Sequence, residues 1–220
     1  MSKIKKVIIY SGGLDLYTML MDLLYKNKSI SAISFDYGQR HDKELEFAKR
    51  VCSKHDIEHI VVDINSINKL MQGSSLTSDI DIPEGHYEDE NMKSTVVPNR
   101  NMIFISLATA YAVSIGANEV WTGVHAGDHA IYPDCRGEFI DKINEVTKIS
   151  NYESVEVKAP FIEMSKIGIV DIGKRLGIDY SDAWTCYKGN EFACGKCGSC
   201  QERLEAFDQN DIKDPMRYET

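Results

Sequence analysis

Four cysteines carry the most specific chemical signal in this 220-residue sequence. They are Cys186, Cys194, Cys197 and Cys200. Gly195 and Gly198 each follow a cysteine, and glycine permits the tight turns that would bring the sulfur atoms to one ion. Four thiolates at this spacing favour a closed, tetrahedral Zn²⁺ site, usually a structural one. An iron–sulfur cluster and disulfides are the alternatives. Cys52 and Cys135 are expected to be free thiols.

A glycine pair close to the N-terminus is the second candidate. The stretch Tyr10–Asp15 reads Tyr-Ser-Gly-Gly-Leu-Asp, with an apolar run before it and apolar residues at helical spacing after it. The glycines therefore lie at a strand-to-helix turn, where free N–H groups and the helix dipole would form an anion cradle suited to phosphate. It is not a Walker loop, because no Gly-Lys-Ser/Thr follows, and the third glycine of the dinucleotide pattern is absent. An ordinary tight turn is the alternative.

Other polar side chains with suitable chemistry are spread along the chain. They are Tyr37, Gln39, Arg40, His41, Arg100, Asp128, Tyr132, Asp134, Arg136, Lys158 and Lys166. Arginine and lysine suit phosphates or carboxylates, and an aspartate can accept N–H bonds from a guanine-like edge. Turn capping or simple solvation is the alternative for each of them.

An alternation of strand and helix patterns must position these residues. Strands are predicted at 5–11, 30–36, 59–64, 119–124 and 154–159, and helices at 15–27, 41–55, 99–115, 137–149 and 165–176. This alternation predicts an α/β fold, a parallel sheet with helices on both faces. Ligands of such folds bind at the carboxyl ends of the strands, and most of the polar segments follow a predicted strand.

The chain is expected to divide into an α/β domain at 1–180 and a small zinc-binding region at 181–220. Residues 65–98 have no clear periodicity and contain an acidic run, so they predict a lid-like insertion or a disordered segment.

Composition narrows the class of protein. A net charge of −9 argues against a broad electrostatic footprint on nucleic acid. The sequence shows no apolar signal stretch and no run of membrane-spanning length, so we expect a cytoplasmic protein without a membrane partner.

In this order and spacing the motifs resemble one family along nearly the whole chain. They are similar to the QueC-type 7-cyano-7-deazaguanine synthases, which belong to the N-type ATP-pyrophosphatase superfamily. The resemblance rests on Ser11–Asp15, Asp36–His41, Pro98–Asn101, Thr122–Val124, Asp128, Tyr132–Arg136 and the four cysteines ahead of a C-terminal helix. It implies a Rossmann-like fold of the adenine nucleotide alpha hydrolase type.

The resemblance implies a ligase that uses ATP and free ammonia to convert 7-carboxy-7-deazaguanine to the nitrile through an acyl adenylate, on the route to queuosine and related deazapurines. It further implies ATP, Mg²⁺ near Asp15, Zn²⁺ on the cysteines, a homodimer and no direct nucleic-acid partner. Residues assigned to the nucleotide are Tyr10, Ser11, Gly12, Gly13, Leu14, Asp15, Leu16, Tyr17, Thr18, Met19, Leu20, Arg40 and Gly123. Residues assigned to the deazapurine are Tyr37, Gln39, Arg40, His41, Asp128, Tyr132, Asp134 and Arg136. Catalytic roles fall to Asp15, Arg100, Arg136 and Lys166.

The sequence departs from the family pattern at the glycine loop. Leu16 and Tyr17 stand where the family usually carries Ser and Thr, and Leu16 removes a hydroxyl that would help to bind pyrophosphate or the metal. Asn99 replaces a usual Gly, and Ala130–Ile131 replace Ser-Gly. Two other functions therefore stay open: a non-catalytic nucleotide or deazapurine binder, and an adenylating enzyme that modifies tRNA or a protein directly.

Overall fold

The computed structural model describes residues 5–26, 28–40 and 42–219. Across these residues the strands form one parallel sheet in the order β3-β2-β1-β4-β5. The strands are β1 (Lys5–Ile9), β2 (Ser29–Asp36), β3 (Glu58–Asp63), β4 (Glu119–Trp121) and β5 (Glu156–Lys158). The order reverses at β1, which lies between β2 and β4. A crevice for a ligand is therefore expected outside the carboxyl end of β1.

Helices cover both faces of this sheet. They are α1 (Leu14–Tyr25), α2 (Lys43–Lys54), α3 (Arg100–Ser114), α4 (Gly137–Ile149), α5 (Lys166–Leu176) and α6 (Gly198–Asp208). One core joins the sheet to α1, α5 and α6 through residues such as Leu20, Ile169 and Phe207. The core on the other face joins it to α3 and α4 through Ile105 and Ile143. The predicted α/β fold is confirmed.

The ends of several elements differ from their predicted positions. Strands β4 and β5 are shorter than predicted. A further bond from the Thr122 N–H to the Lys158 carbonyl at 2.9 Å continues their pairing at the carboxyl end. Helix α6 begins among the cysteines rather than after them, because Cys197 precedes its first turn and Cys200 lies within that turn. The predicted ends at residues 27 and 41 lie outside the described residues.

The predicted insertion at 65–98 folds against the cysteine region. It contains short 3-10 helices at Asn65–Leu70 and Glu90–Thr95, and Met92 is buried. The Gly85 N–H donates to the Lys196 carbonyl at 3.1 Å, and Lys188 pairs with Glu84 at 2.7 Å. The segment is therefore ordered in this structure, whereas its movement as a lid stays a prediction.

None of the helices in the described part of the chain combines the length and the apolar character needed to cross a membrane.

Candidate active site

The glycine loop follows β1 and leads directly into α1. Gly12 has a φ of +91°, and a Cβ atom there would lie 2.3 Å from the Glu44 carbonyl oxygen, so only glycine fits this turn. The Gly12 carbonyl accepts a hydrogen bond from the Trp184 N–H at 3.0 Å. The predicted strand-to-helix turn is thus present. The segment around Trp184, which precedes the cysteines, packs against it.

A cavity opens at the carboxyl ends of β1, β2 and β4, beside this loop. The predicted site residues that line it are Tyr10, Ser11, Gly13, Leu14, Asp15, Leu16, Tyr37, Gln39, Arg100, Gly123, Asp128 and Lys166. The fold therefore brings most of the predicted nucleotide, substrate and catalytic residues to one place. Their individual roles stay predictions.

Helix α1 carries four other nucleotide-assigned side chains away from the cavity. Tyr17, Met19 and Leu20 are buried in the core. The Thr18 hydroxyl donates to the Leu14 carbonyl at 2.9 Å and lies 2.8 Å from the Tyr180 hydroxyl. These side chains pack the helix onto the sheet, which leaves ligand contact to the loop that precedes it.

Four of the other predicted residues are occupied elsewhere. The guanidinium of Arg40 donates to the Ile80 carbonyl at 2.9 Å, and that of Arg136 donates to the His129 carbonyl at 3.0 Å. The Asp134 carboxylate accepts the Asn101 N–H at 2.9 Å, at the beginning of α3. The Tyr132 hydroxyl lies 2.5 Å from the Thr95 hydroxyl. None of the four is among the cavity-lining residues of the described chain, and His41 lies outside the described residues.

A cluster of charged side chains lies where the loop meets α5. The Lys166 ammonium contacts Asp15 Oδ2 at 2.5 Å and Glu202 Oε2 at 3.3 Å. His125 Nε2 lies 3.6–3.8 Å from carboxylate oxygens of Asp15, Asp128 and Glu202. The cluster therefore gathers groups from the loop, the β4 end, α5 and α6.

Electrostatics keeps the central pair ionised. Burial raises the pKa of Asp15. The nearby Lys166 and His125 lower it by a larger amount, so the net pKa is below the usual value. Burial lowers the pKa of Lys166, but Asp15 and Glu202 outweigh it, and the net pKa is above the usual value. An ammonium held in this position can stabilise negative charge on a phosphate chain.

A second pair of ionisable groups faces the cavity from α2 and α3. Burial raises the pKa of Glu44 to about 7 despite the attraction of the Arg100 guanidinium. Burial lowers the pKa of Arg100, but the nearby Tyr37, Cys135 and other acidic groups outweigh it, and the net pKa is above the usual value. Arg100 therefore offers a permanent positive charge to a carboxylate or phosphate in the cavity.

The Leu16 side chain forms an apolar wall of the cavity. A Cβ atom at Gly123 would lie 2.8 Å from Leu16 Cδ2, so the side chain fills the space above that glycine. The leucine and the glycine together shape one side of the cavity.

The cysteine cluster has the geometry of a metal site. The four sulfur atoms of Cys186, Cys194, Cys197 and Cys200 all lie within 4.8 Å of one another and are buried. A tetrahedron of Zn–S bonds would separate the sulfurs by about 3.8 Å. Backbone N–H groups of Cys194 and Cys197 donate to sulfurs at 3.3 Å, which favours thiolates. The described chain contains all six cysteines, and none forms a disulfide, in agreement with the free thiols predicted for Cys52 and Cys135.

Among the charged and histidine side chains that line the cavity, sequence reasoning gave no role to His125, Glu202 and Glu44. Glu202 had one usable signal. Helix α6 turns Glu202 and Arg203 inward together with Ala206 and Phe207, so its buried stripe contains charges where apolar residues are expected. Charge on the buried side of a helix indicates a specific partner.

Comparison with known proteins agrees with this geometry. Residues 5–211 match the family described as "Queuosine biosynthesis protein QueC". This chain belongs to the QueC family. The resemblance drawn from its motifs is confirmed.

Curated relatives of this QueC-family chain match it over almost its whole length. A "7-cyano-7-deazaguanine synthase 1" from Colwellia psychrerythraea is 61% identical over 215 residues, which is 98% of this chain and 99% of that protein. A "7-cyano-7-deazaguanine synthase" from Hahella chejuensis is 58% identical and covers 98% of this chain and 94% of its own length. Among solved structures, the NMN synthetase from Francisella tularensis aligns with 96% of this chain and 79% of its own, at 14% identity and a TM-score of 0.50. That last likeness concerns the fold alone.

Proposed function

We propose that this QueC-family protein is an ATP-dependent ligase that converts 7-carboxy-7-deazaguanine and ammonia to 7-cyano-7-deazaguanine, in queuosine biosynthesis. The observation that carries the proposal is the family match over residues 5–211, together with a cavity where the glycine loop, Lys166 and Arg100 meet. The full-length similarity to curated synthases supports it over the non-catalytic alternative.

The chemistry needs such a cavity because a carboxylate is a poor electrophile. ATP adenylates the carboxylate and releases pyrophosphate, and ammonia displaces AMP to give the amide. A second ATP adenylates the amide oxygen, and loss of AMP and a proton gives the nitrile. The protein has to hold the triphosphate, stabilise the leaving pyrophosphate and orient the heterocycle.

Each of these tasks has a candidate group. Backbone N–H groups of Ser11–Asp15 would bind phosphate oxygens, and the Lys166 ammonium would stabilise charge on the departing pyrophosphate. Arg100 would bind the substrate carboxylate, and Asp128 would accept N–H bonds from the purine-like edge.

Two metals fit the residues present. Asp15 Oδ1 is buried and has no hydrogen-bond partner among the described residues, which suits a ligand for Mg²⁺. Magnesium, when bound, neutralises phosphate charge. The four cysteines suit a structural Zn²⁺. A cytoplasmic location and a homodimer are proposed from the family resemblance alone, and size-exclusion chromatography with light scattering would test the second.

The test is a direct assay. The purified zinc-loaded protein receives 7-carboxy-7-deazaguanine, ammonium and Mg-ATP, and nitrile and AMP are quantified by mass spectrometry. We expect both products. If neither forms while the folded protein still binds ATP, the substrate assignment is wrong, and a titration with labelled tRNA then examines the adenylating alternative.

Leu16→Ser belongs beside the natural sequence in this assay. The added hydroxyl is expected to raise turnover by up to roughly ten- to a hundredfold, equivalent to about 1–3 kcal/mol for one hydrogen bond. Tyr17 stays unchanged, because it is buried and its truncation would leave a cavity. Nitrile from the Leu16→Ser variant alone would mean that the natural protein is a binder.

A further inference from the structure

Helix α6 places a carboxylate inside the charged cluster of the cavity. The Glu202 side chain is 11% exposed, and its Oε2 atom lies 3.3 Å from the Lys166 ammonium. The same ammonium contacts Asp15 Oδ2 at 2.5 Å. Lys166 is thus held between a carboxylate of the glycine loop and one of the cysteine-bearing helix.

The surroundings of Glu202 fix its orientation. A Cβ atom at Gly127 would lie 2.4 Å from Glu202 Oε1, so the carboxylate packs tightly against that backbone. His125 Nδ1 accepts the Gly127 N–H at 3.1 Å, which leaves Nε2 to face the carboxylates. That nitrogen faces Glu202 Oε1 at 3.8 Å.

The helix that carries Glu202 is anchored on both sides of it. Cys197 and Cys200 belong to the sulfur cluster and lie at the beginning of α6. Arg203, the next residue, is fully buried and donates to both oxygens of Asp214 at 2.8 Å. A displacement of the cysteine cluster would therefore move Glu202.

Charge alone gives no reason for this carboxylate. Asp15, Asp128 and Glu202 bring three carboxyl groups to the neighbourhood of Lys166 and His125, at the place where a polyanionic triphosphate would bind. Each further carboxylate repels such a ligand. A lysine ammonium, however, sits on a flexible four-carbon chain and has to be held to act in one place.

We propose that Glu202 is a positioning residue of the ligase, which holds the Lys166 ammonium against Asp15 and so couples the four-cysteine centre to the phosphate-binding cavity. This inference rests on the proposed function. It predicts a specific split of kinetic effects, because the carboxylate orients Lys166 while opposing the triphosphate.

The test compares Glu202→Gln with Glu205→Gln, an exposed glutamate on the same helix. In Glu202→Gln we expect kcat to fall by roughly tenfold while KM for ATP stays the same or decreases, since a carboxyl group near the phosphates is removed. Loss of one holding partner should also free the buried Lys166, so that its acetylation by acetic anhydride, measured by peptide mass spectrometry, rises severalfold. Glu205→Gln should match the natural protein in all three quantities.

Metal content and melting temperature are measured on every variant. An equal kcat and equal Lys166 labelling in Glu202→Gln and Glu205→Gln would overturn the proposal, and so would a rise in KM accompanied by loss of the metal. If Glu202→Gln does not fold, Glu202→Asp replaces it: the side chain is one methylene shorter, and natural kcat and labelling in a folded Asp variant would also overturn the proposal. A natural protein that makes no nitrile refutes the proposed function instead, while the labelling still decides whether Glu202 holds Lys166.

Discussion

Glu44 shows how burial and charge compete at a single residue. Its carboxyl lines the cavity beside Arg100, yet burial outweighs that attraction and raises its pKa to about 7 from an ordinary 4.5. The folded chain therefore keeps the proton at pH values where the unfolded chain has already lost it. Folding takes up a proton between about pH 5 and pH 7, and the free energy of unfolding falls as the pH rises through this range.

Glu44→Gln should remove this dependence. As the pH rises from about 5.5 to about 7.5, the free energy of unfolding of the natural protein should fall by about 1–2 kcal/mol relative to that of the variant, because glutamine does not ionise. Urea unfolding at the two pH values measures the difference. Glu46→Gln, at an exposed position on the same helix, is the control. Its difference in stability from the natural protein should be the same at both pH values. Parallel curves for natural protein and Glu44→Gln would contradict the prediction.

The three residues that meet at the Lys166 ammonium differ in how far the sequence predicts them. Asp15 and Lys166 are 151 positions apart. Asp15 is predicted from the glycine-loop motif, and Lys166 from its position at the start of the helix that follows a predicted strand, with a phosphate role implied by the family resemblance. Glu202 meets the same ammonium but has no local pattern that points to phosphate. Its role depends on how α6 packs, and only the tertiary structure shows that.

Helix α6 is anchored by a buried ion pair between Arg203 and Asp214. The Arg203 guanidinium donates to both oxygens of Asp214 and also to the carbonyls of Ala183 and Tyr180. These bonds join α6 to the segment that supports the glycine loop and to the chain after the helix. Loss of one partner of a buried pair leaves the other charge without compensation.

Arg203→Met should therefore lower the free energy of unfolding by about 3–5 kcal/mol, because Asp214 would stay buried without its partner. Urea denaturation measures the change. Arg175→Met removes an exposed pair with Asp171 on α5 and should lower stability by less than about 1 kcal/mol. Similar losses in the two variants would show that Arg203 does not anchor the helix.

Periodicity predicted these elements with uneven success. Helix α4 has the predicted bounds, because its amphipathic pattern defines it locally. Strand β4 is shorter than predicted, since the residues from Thr122 to Val124 leave the sheet and line the cavity. Its partner β5 is shorter as well. Helix α6 begins within the cysteine motif. The cysteine spacing there indicates a metal site and gives no sign of where the helix begins.

At the scale of the whole molecule, the cysteine cluster joins parts of the chain that are distant in sequence. Trp184 pairs with the glycine loop, Glu84 of the insertion forms a bridge with Cys197, and Glu202 reaches the cavity. The sequence predicted the metal site but not these contacts, because docking of an aperiodic insertion leaves no pattern in its residues. A metal at this point would stabilise the cavity as well as the C-terminal region.

Metal removal should thus affect three regions and spare the sheet. We expect Cys197→Ala to lose bound zinc and to show faster amide exchange at 84–98, 184–219 and the glycine loop, while β1, β2 and β4 stay protected. Zinc analysis and hydrogen–deuterium exchange with mass spectrometry measure both effects. Cys52→Ala, a buried thiol in the core outside the cluster, should keep its zinc and its exchange pattern in these regions. If a zinc-free Cys197→Ala protein kept natural protection at the glycine loop, the cysteine centre would stabilise only its own region.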